Sequence, residues 1–292
     1  MRSRLQAVVS FVLFLLVAQL VSGGLEWMLV RKLQLIVPTG RPWEPSFFVF
    51  WEGAGVIGAL VATWALARVS GRGFAELGYR TGGAWRQLLA GGAMGFIVVT
   101  VLVFIATALG AYAVGQLMMS PAAATGNAIA WLLAMAGTSF AGEMTLHGAG
   151  LFALAEVTGF WPAAVTLSLF GAALGLGSGA SGLNYAGAMN ALGISLLSCY
   201  AIRRTGAIWF ACGLHALLDY TSLFIFGSPS RGNQGGEPIL TRLFTGGFHG
   251  PTWLTGGSAG IESSWLMLPI VGAALAGYWY FVRGTTRGLT PG

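Results

Sequence analysis

The stretch GEMTLHGAG, residues 142–150, puts a glutamate and a histidine in the middle of the apolar run 126–154. A soluble core rarely buries such groups unpaired, and a membrane span rarely carries them outside a site. The surroundings decide which solvent this segment meets. Of 292 residues, 55% are apolar and 8% charged, where about 25% charged is usual for a soluble domain. Mean hydropathy is +0.75. The chain therefore reads as a polytopic membrane protein, and residues 142–150 lie inside one of its spanning helices.

Outward from that stretch, runs long enough to cross a bilayer fall near 5–22, 47–67, 87–115, 126–154, 161–177, 186–202, 206–226 and 264–283. The expectation is an all-α bundle of about eight transmembrane helices forming a single membrane domain over 1–292. The first run follows Arg2 and Arg4 and ends in small residues, as a secretory signal does, but its apolar length favours a retained helix. The 46 glycines recur within the runs, and Gly91 with Gly95, like Gly171 with Gly175, has the spacing of a close helix-packing face.

The net charge of +6 comes from basic residues between the runs, a pattern of membrane orientation rather than nucleic-acid binding. With a cytoplasmic N-terminus, Arg2, Arg4, Arg68, Arg72, Arg80, Arg86, Arg203, Arg204, Arg283 and Arg287 lie inside, and Arg31, Lys32, Arg41, Arg231 and Arg242 outside. The excess predicts both termini in the cytoplasm and a cell-membrane location. Residues 69–86 read as a cytoplasmic loop with a short amphipathic turn. The Gly-, Pro- and Ser-rich connection 227–263 reads as an outer loop able to fold over the bundle. Cys199 and Cys212 both fall in apolar runs and carry no disulfide or CxxC pattern.

Two ionisable pairs stand at helical i, i+4 spacing: Glu143 with His147, and His215 with Asp219 in GLHALLDY. At 3.6 residues per turn each pair shares one helix face. Two such helices facing one another gather four polar groups, either as a buried tie between helices or as a site. The same four side chains are a conceivable zinc shell, although no HExxH motif is present. Cys212 and His215 are three apart, but a thiol in an apolar span is usually inert. His249 and Glu237 belong to the long loop and read as surface or loop-stabilising groups.

GEMTLHG, TLSLFGAALG, IWFACGLHALLDY and the later GPTWLTGGSAGIESS, in that order, resemble the CPBP family of intramembrane endopeptidases, the CAAX-processing and bacteriocin-processing group. The resemblance covers a core of about residues 125–285. It implies a bundle of about eight helices, a water-activating glutamate and histidines that hold the water and the oxyanion, with no cofactor. It also implies a prenylated or membrane-inserted peptide as substrate and membrane lipid as surroundings. The family's motifs are Glu-Glu-x-x-x-Arg, Phe-x-x-x-His and His-x-x-x-Asn/Asp. Laid on this chain they fall on Gly142, Glu143 and His147, on Phe170 and Leu174, and on His215 and Asp219.

The water-activating position is thus a glycine, and one histidine position is a leucine. Neither supplies a base or a donor. Glu143 is not a simple substitute, because one residue along a helix turns the side chain by roughly 100°. His147 in place of arginine makes the Glu143 pair one that loses its charge near neutral pH. Two activities are in view. In the first the chain is an endopeptidase with Glu143 and His215 as catalytic groups and His147 and Asp219 as orienting groups. In the second it is an inactive descendant that binds a membrane peptide or lipid.

Overall fold

The structure, a computed structural model, describes residues 4–34, 42–176, 183–230, 233 and 236–283. Of the basic residues counted above, Arg2, Arg41, Arg231 and Arg287 lie outside the described residues. The chain is an all-α membrane bundle. In order it forms α1 (Arg4–Trp27), α2 (Pro45–Ser70), α3 (Ala84–Ala108), α4 (Pro121–Leu146), α5 (Ala149–Thr158) and α6 (Phe160–Leu176). Then follow α7 (Tyr185–Thr205), α8 (Trp209–Asp219), the short α9 (Thr252–Thr255) and α10 (Met267–Arg283).

Among the described residues, five helical segments are long and apolar enough to cross a membrane: Leu5–Lys32, Pro45–Ser70, Ala84–Ala108, Pro121–Thr158 and Tyr185–Thr205. Phe160–Leu176 and Trp209–Ile225 are shorter apolar helices. Seventeen residues reach about 26 Å at 1.5 Å per residue, close to the hydrocarbon thickness. Each of the eight predicted runs contains a helix, but two boundaries move. The run 87–115 stops being helical at Ala108, and Tyr112–Ala113 (β1) instead pairs antiparallel with Gly247–Phe248 (β2) of the long connection. The run 126–154 is two helices, not one.

That break falls at His147 and Gly148, at the end of the opening stretch. A Cβ on Gly148 would press on the Tyr79 hydroxyl at 2.6 Å and collide with the carbonyl of Met144. Glycine is what lets the chain turn there against Tyr79, whose hydroxyl lies 3.2 Å from Thr63 Oγ1. Burial pushes the Tyr79 hydroxyl up to about 12, so it stays a neutral donor.

Local chemistry sets the other ends. Ser120 caps α4 from Ala123 N–H, with Pro121 at the first helical position. Asn184 accepts from Gly187 N–H at the start of α7, 2.9 Å away. The tightest helix contact is α3 on α8. Cβ atoms on Gly91 or Gly95 would collide with the backbone of Phe210 and Leu214, and one on Gly213 with that of Leu88. The packing expected of Gly91 and Gly95 is present. Gly171 and Gly175 differ: their nearest neighbours leave ordinary space, and both open onto a cavity.

Candidate functional site

The connection after α8 does not stay outside the bundle. Trp209–Ile225 ends in a π-helical turn, Tyr220–Ile225, and the chain then folds back over the helix ends. Ile239 and Ile261 are fully buried. Asn190 of α7 clamps this segment, its Nδ2 donating to the carbonyls of Glu262 at 2.7 Å and Ser264 at 2.9 Å. The Ser222 hydroxyl donates to Glu262 Oε1 at 2.5 Å. Under the clamp lies a cavity of about 610 Å³, walled by α4, α6, α7, α8 and the 259–263 segment.

At its polar end the four predicted residues meet. Glu143, buried on α4, uses both carboxylate oxygens: Oε2 lies 2.6 Å from His147 Nδ1, and Oε1 lies 3.0 Å from His215 Nδ1. His215 Nε2 is 3.4 Å from Asp219 Oδ2. His147 Nε2 is 2.8 Å from Ser195 Oγ on α7, and Ser195 Oγ is 2.7 Å from Ser168 Oγ on α6. Glu143 is therefore the junction of two arms, one through His215 to Asp219 and one through His147 to two serines. Glu143 thus reaches His215 despite standing one residue, roughly 100°, from position 142. A Cβ on Gly142 would indeed point at His215, 3.6 Å from Cε1, but the longer glutamate side chain spans the offset from the next position.

The second mapped motif behaves otherwise. Phe170 is 53% exposed and Leu174 65%, both on the outer face of α6. The cavity side of that helix carries Gly171 and Gly175, each one residue further along. No imidazole at 174 would enter the cavity.

Two carboxylates escaped the sequence reading. Glu262 lines the cavity, and burial, with the Asp219 charge adding to it, pushes its carboxyl up to about 7. Its signal in the sequence was one acidic residue in a glycine- and serine-rich loop, too weak to notice. Glu52 on α2 lies within the electrostatic reach of His215 and Asp219. It sits in the predicted run 47–67, where an ionisable side chain carries the same membrane cost as at Glu143. Four of the nine acidic residues thus converge on one region. A smaller cavity of about 150 Å³ adjoins it, lined by Thr138, Asp219, Ser228 and Glu262 among others.

The other candidates lie elsewhere. Cys212 is fully buried in the packed core, and its carbonyl accepts from the Ser139 hydroxyl at 2.6 Å. His249 and Glu237 take part in backbone contacts of the long connection. Among the described residues no group of three or more His, Cys, Asp or Glu side chains is arranged to hold a metal ion. The ring nitrogens and carboxylate oxygens of the site are directed at one another instead of at a common point. The fold and this site define a polytopic membrane protein with a polar centre buried at one end of an apolar cavity. No family model matches the chain, and no curated protein matches it.

Proposed function

We propose that this is a CPBP-type, endopeptidase-like membrane hydrolase whose cavity receives a lipidated or membrane-inserted peptide. The observation that carries the reading is the Glu143 carboxylate, held by two imidazoles at the polar end of a cavity large enough for a peptide segment. A carboxylate offers about four lone-pair positions, and the two histidines take two of them. A water bound at the remainder gives its proton to Glu143 while its oxygen adds to the peptide carbonyl carbon. The oxyanion forms near His215, which Asp219 steadies. Collapse breaks the C–N bond, and the proton on Glu143 passes to the leaving amine. His147 holds Glu143 from the other side.

A second reading is a pseudoprotease that binds such peptides or lipids without cutting them. Gly142, beside His215, and Gly171 and Gly175, on the cavity wall, favour it, because they supply no polar side chain where a peptidase of this kind needs further polar groups. In either case the excess of arginines on one side supports both termini in the cytoplasm and a cell-membrane location.

The test is incubation of the full chain, in lipid nanodiscs, with a prenylated CAAX peptide and a panel of membrane-inserting peptides, followed by mass spectrometry. Cleavage that falls at least about 100-fold in Glu143→Gln and His215→Ala supports hydrolysis. Saturable binding without products supports the second reading. Neither binding nor cleavage contradicts both.

A further inference from the structure

The arm of Glu143 that runs away from His215 ends on a hydroxyl. His147 Nδ1 faces the carboxylate at 2.6 Å, and Nε2 faces Ser195 Oγ at 2.8 Å. Ser195 lies on the cavity wall, as do His147 and Glu143. On its far side the Ser168 hydroxyl is 2.7 Å away, with Cys199 Sγ 3.9 Å beyond that.

The donors and acceptors of this row fit a single direction. Glu143 is acceptor-only as a carboxylate, so the Nδ1 proton belongs on the ring, and in the neutral imidazole Nε2 carries the lone pair. With the ring neutral, Ser195 donates into Nε2, which leaves Ser195 Oγ free to accept from Ser168 and Ser168 Oγ free to accept from the Cys199 thiol. In that order every hydrogen points toward Glu143. An acid orienting an imidazole that accepts from a hydroxyl on a substrate-sized cavity is the arrangement of an activated serine, recognised by geometry and roles rather than by sequence order.

We propose that Ser195 is a catalytic nucleophile, with His147 as its general base and Glu143 as the orienting acid. The inference rests on the reading of the cavity as a site for a peptide carbonyl, and it adds a covalent step to that reaction. The Ser195 hydroxyl gives its proton to His147 Nε2 as Oγ bonds to the carbonyl carbon. The C–N bond breaks, and the amine leaves with the proton from His147. The acyl-serine is then hydrolysed: a water gives its proton to His147 Nε2, its oxygen adds to the acyl carbon, and the Oγ–C bond breaks. Ser195 Oγ recovers that proton, and the free carboxyl product departs. The same chemistry extends to esters and thioesters of apolar acyl chains, whose leaving groups depart more readily than an amine.

The experiment uses the full chain in nanodiscs with a long-chain alkyl fluorophosphonate, which bonds to an activated serine oxygen and requires no peptide substrate. The expected result is one adduct, located at Ser195 by peptide mass spectrometry. It is absent in Ser195→Ala and forms at least about 100-fold more slowly in His147→Gln. Ser198, on the same helix and buried without a partner, stays unmodified. A folded parent protein that acquires no adduct at Ser195, or a His147→Gln variant that reacts at the parent rate, overturns the proposal. A peptide assay separates it from the reading beneath it. Adduct formation at Ser195 with no peptide cut or bound keeps the nucleophile and removes the peptide substrate. Cleavage by Ser195→Ala at the parent rate removes the nucleophile and leaves the water activated by Glu143.

Discussion

Two regions of this molecule carry side chains at the same i, i+4 spacing and send them in opposite directions. On α4 and α8, Glu143, His147, His215 and Asp219 turn into the bundle and meet. On α6, Phe170 and Leu174 turn outward. Spacing establishes that two residues share a face, but says nothing about where the face points. An ionisable group in lipid costs about 2.5–3.5 kcal/mol on insertion scales, so Glu143 and Asp219 leave the helix little choice. No such cost acts on phenylalanine or leucine, and the small residues Ser168, Gly171 and Gly175 take the inner face of α6.

The largest expected effect sharpens that contrast. Glu143→Leu strips both imidazoles of a buried acceptor and should destabilise the protein by about 3–5 kcal/mol. Leu174→Ala on the outer face should change it by no more than about 0.5 kcal/mol. Denaturant unfolding in mixed micelles measures both, and equal losses would break the comparison.

The two GxxxG pairs provide the next test. Gly95→Val forces a side chain into the backbone of α8 and should cost about 1–3 kcal/mol. Gly171→Ala places a methyl in ordinary contact with Leu146 at 3.5 Å and should be near neutral in the same assay.

A smaller effect is tied to pH. Glu262 faces Asp219, His215 and the Ser222 hydroxyl. Its carboxyl is raised from the usual 4.5 to about 7, so between those values the folded protein holds a proton that the unfolded chain releases. Its contribution to stability is fully present below about pH 4.5 and is lost as the pH rises through 7. Glu262→Gln should flatten this part of the melting profile. An unchanged slope would show that Glu262 is not the group responsible.

The smallest effect concerns register on α6. Gly175→His should alter peptide binding or cleavage, because position 175 lines the cavity. Leu174→His should leave both unchanged. A functional response at 174 rather than 175 would reverse the reading of that helix.

Much of the fold was legible because apolar length and basic flanks report directly on membrane crossing. The meeting of Glu143 with His215 was legible in outline, since two buried pairs require partners. The break at Gly148 was not, because it depends on Tyr79 arriving from a distant loop. Ser168 and Ser195 were invisible for a related reason. A serine in an apolar helix is unremarkable until a histidine from another helix stands 2.8 Å away. Glu262 depends on the fold of a long loop, and composition carries no information about where such a loop lands.

The most direct test of the site is ¹⁵N NMR of histidine-labelled protein in nanodiscs, comparing the parent with Glu143→Gln. The chain has only three histidines, so the ring signals are few and are assigned by single replacements. If one carboxylate joins both arms, the ring nitrogens of His147 and His215 shift together and those of His249 stay fixed. A shift confined to one histidine, or to neither, would contradict the junction at Glu143 on which the proposed chemistry rests.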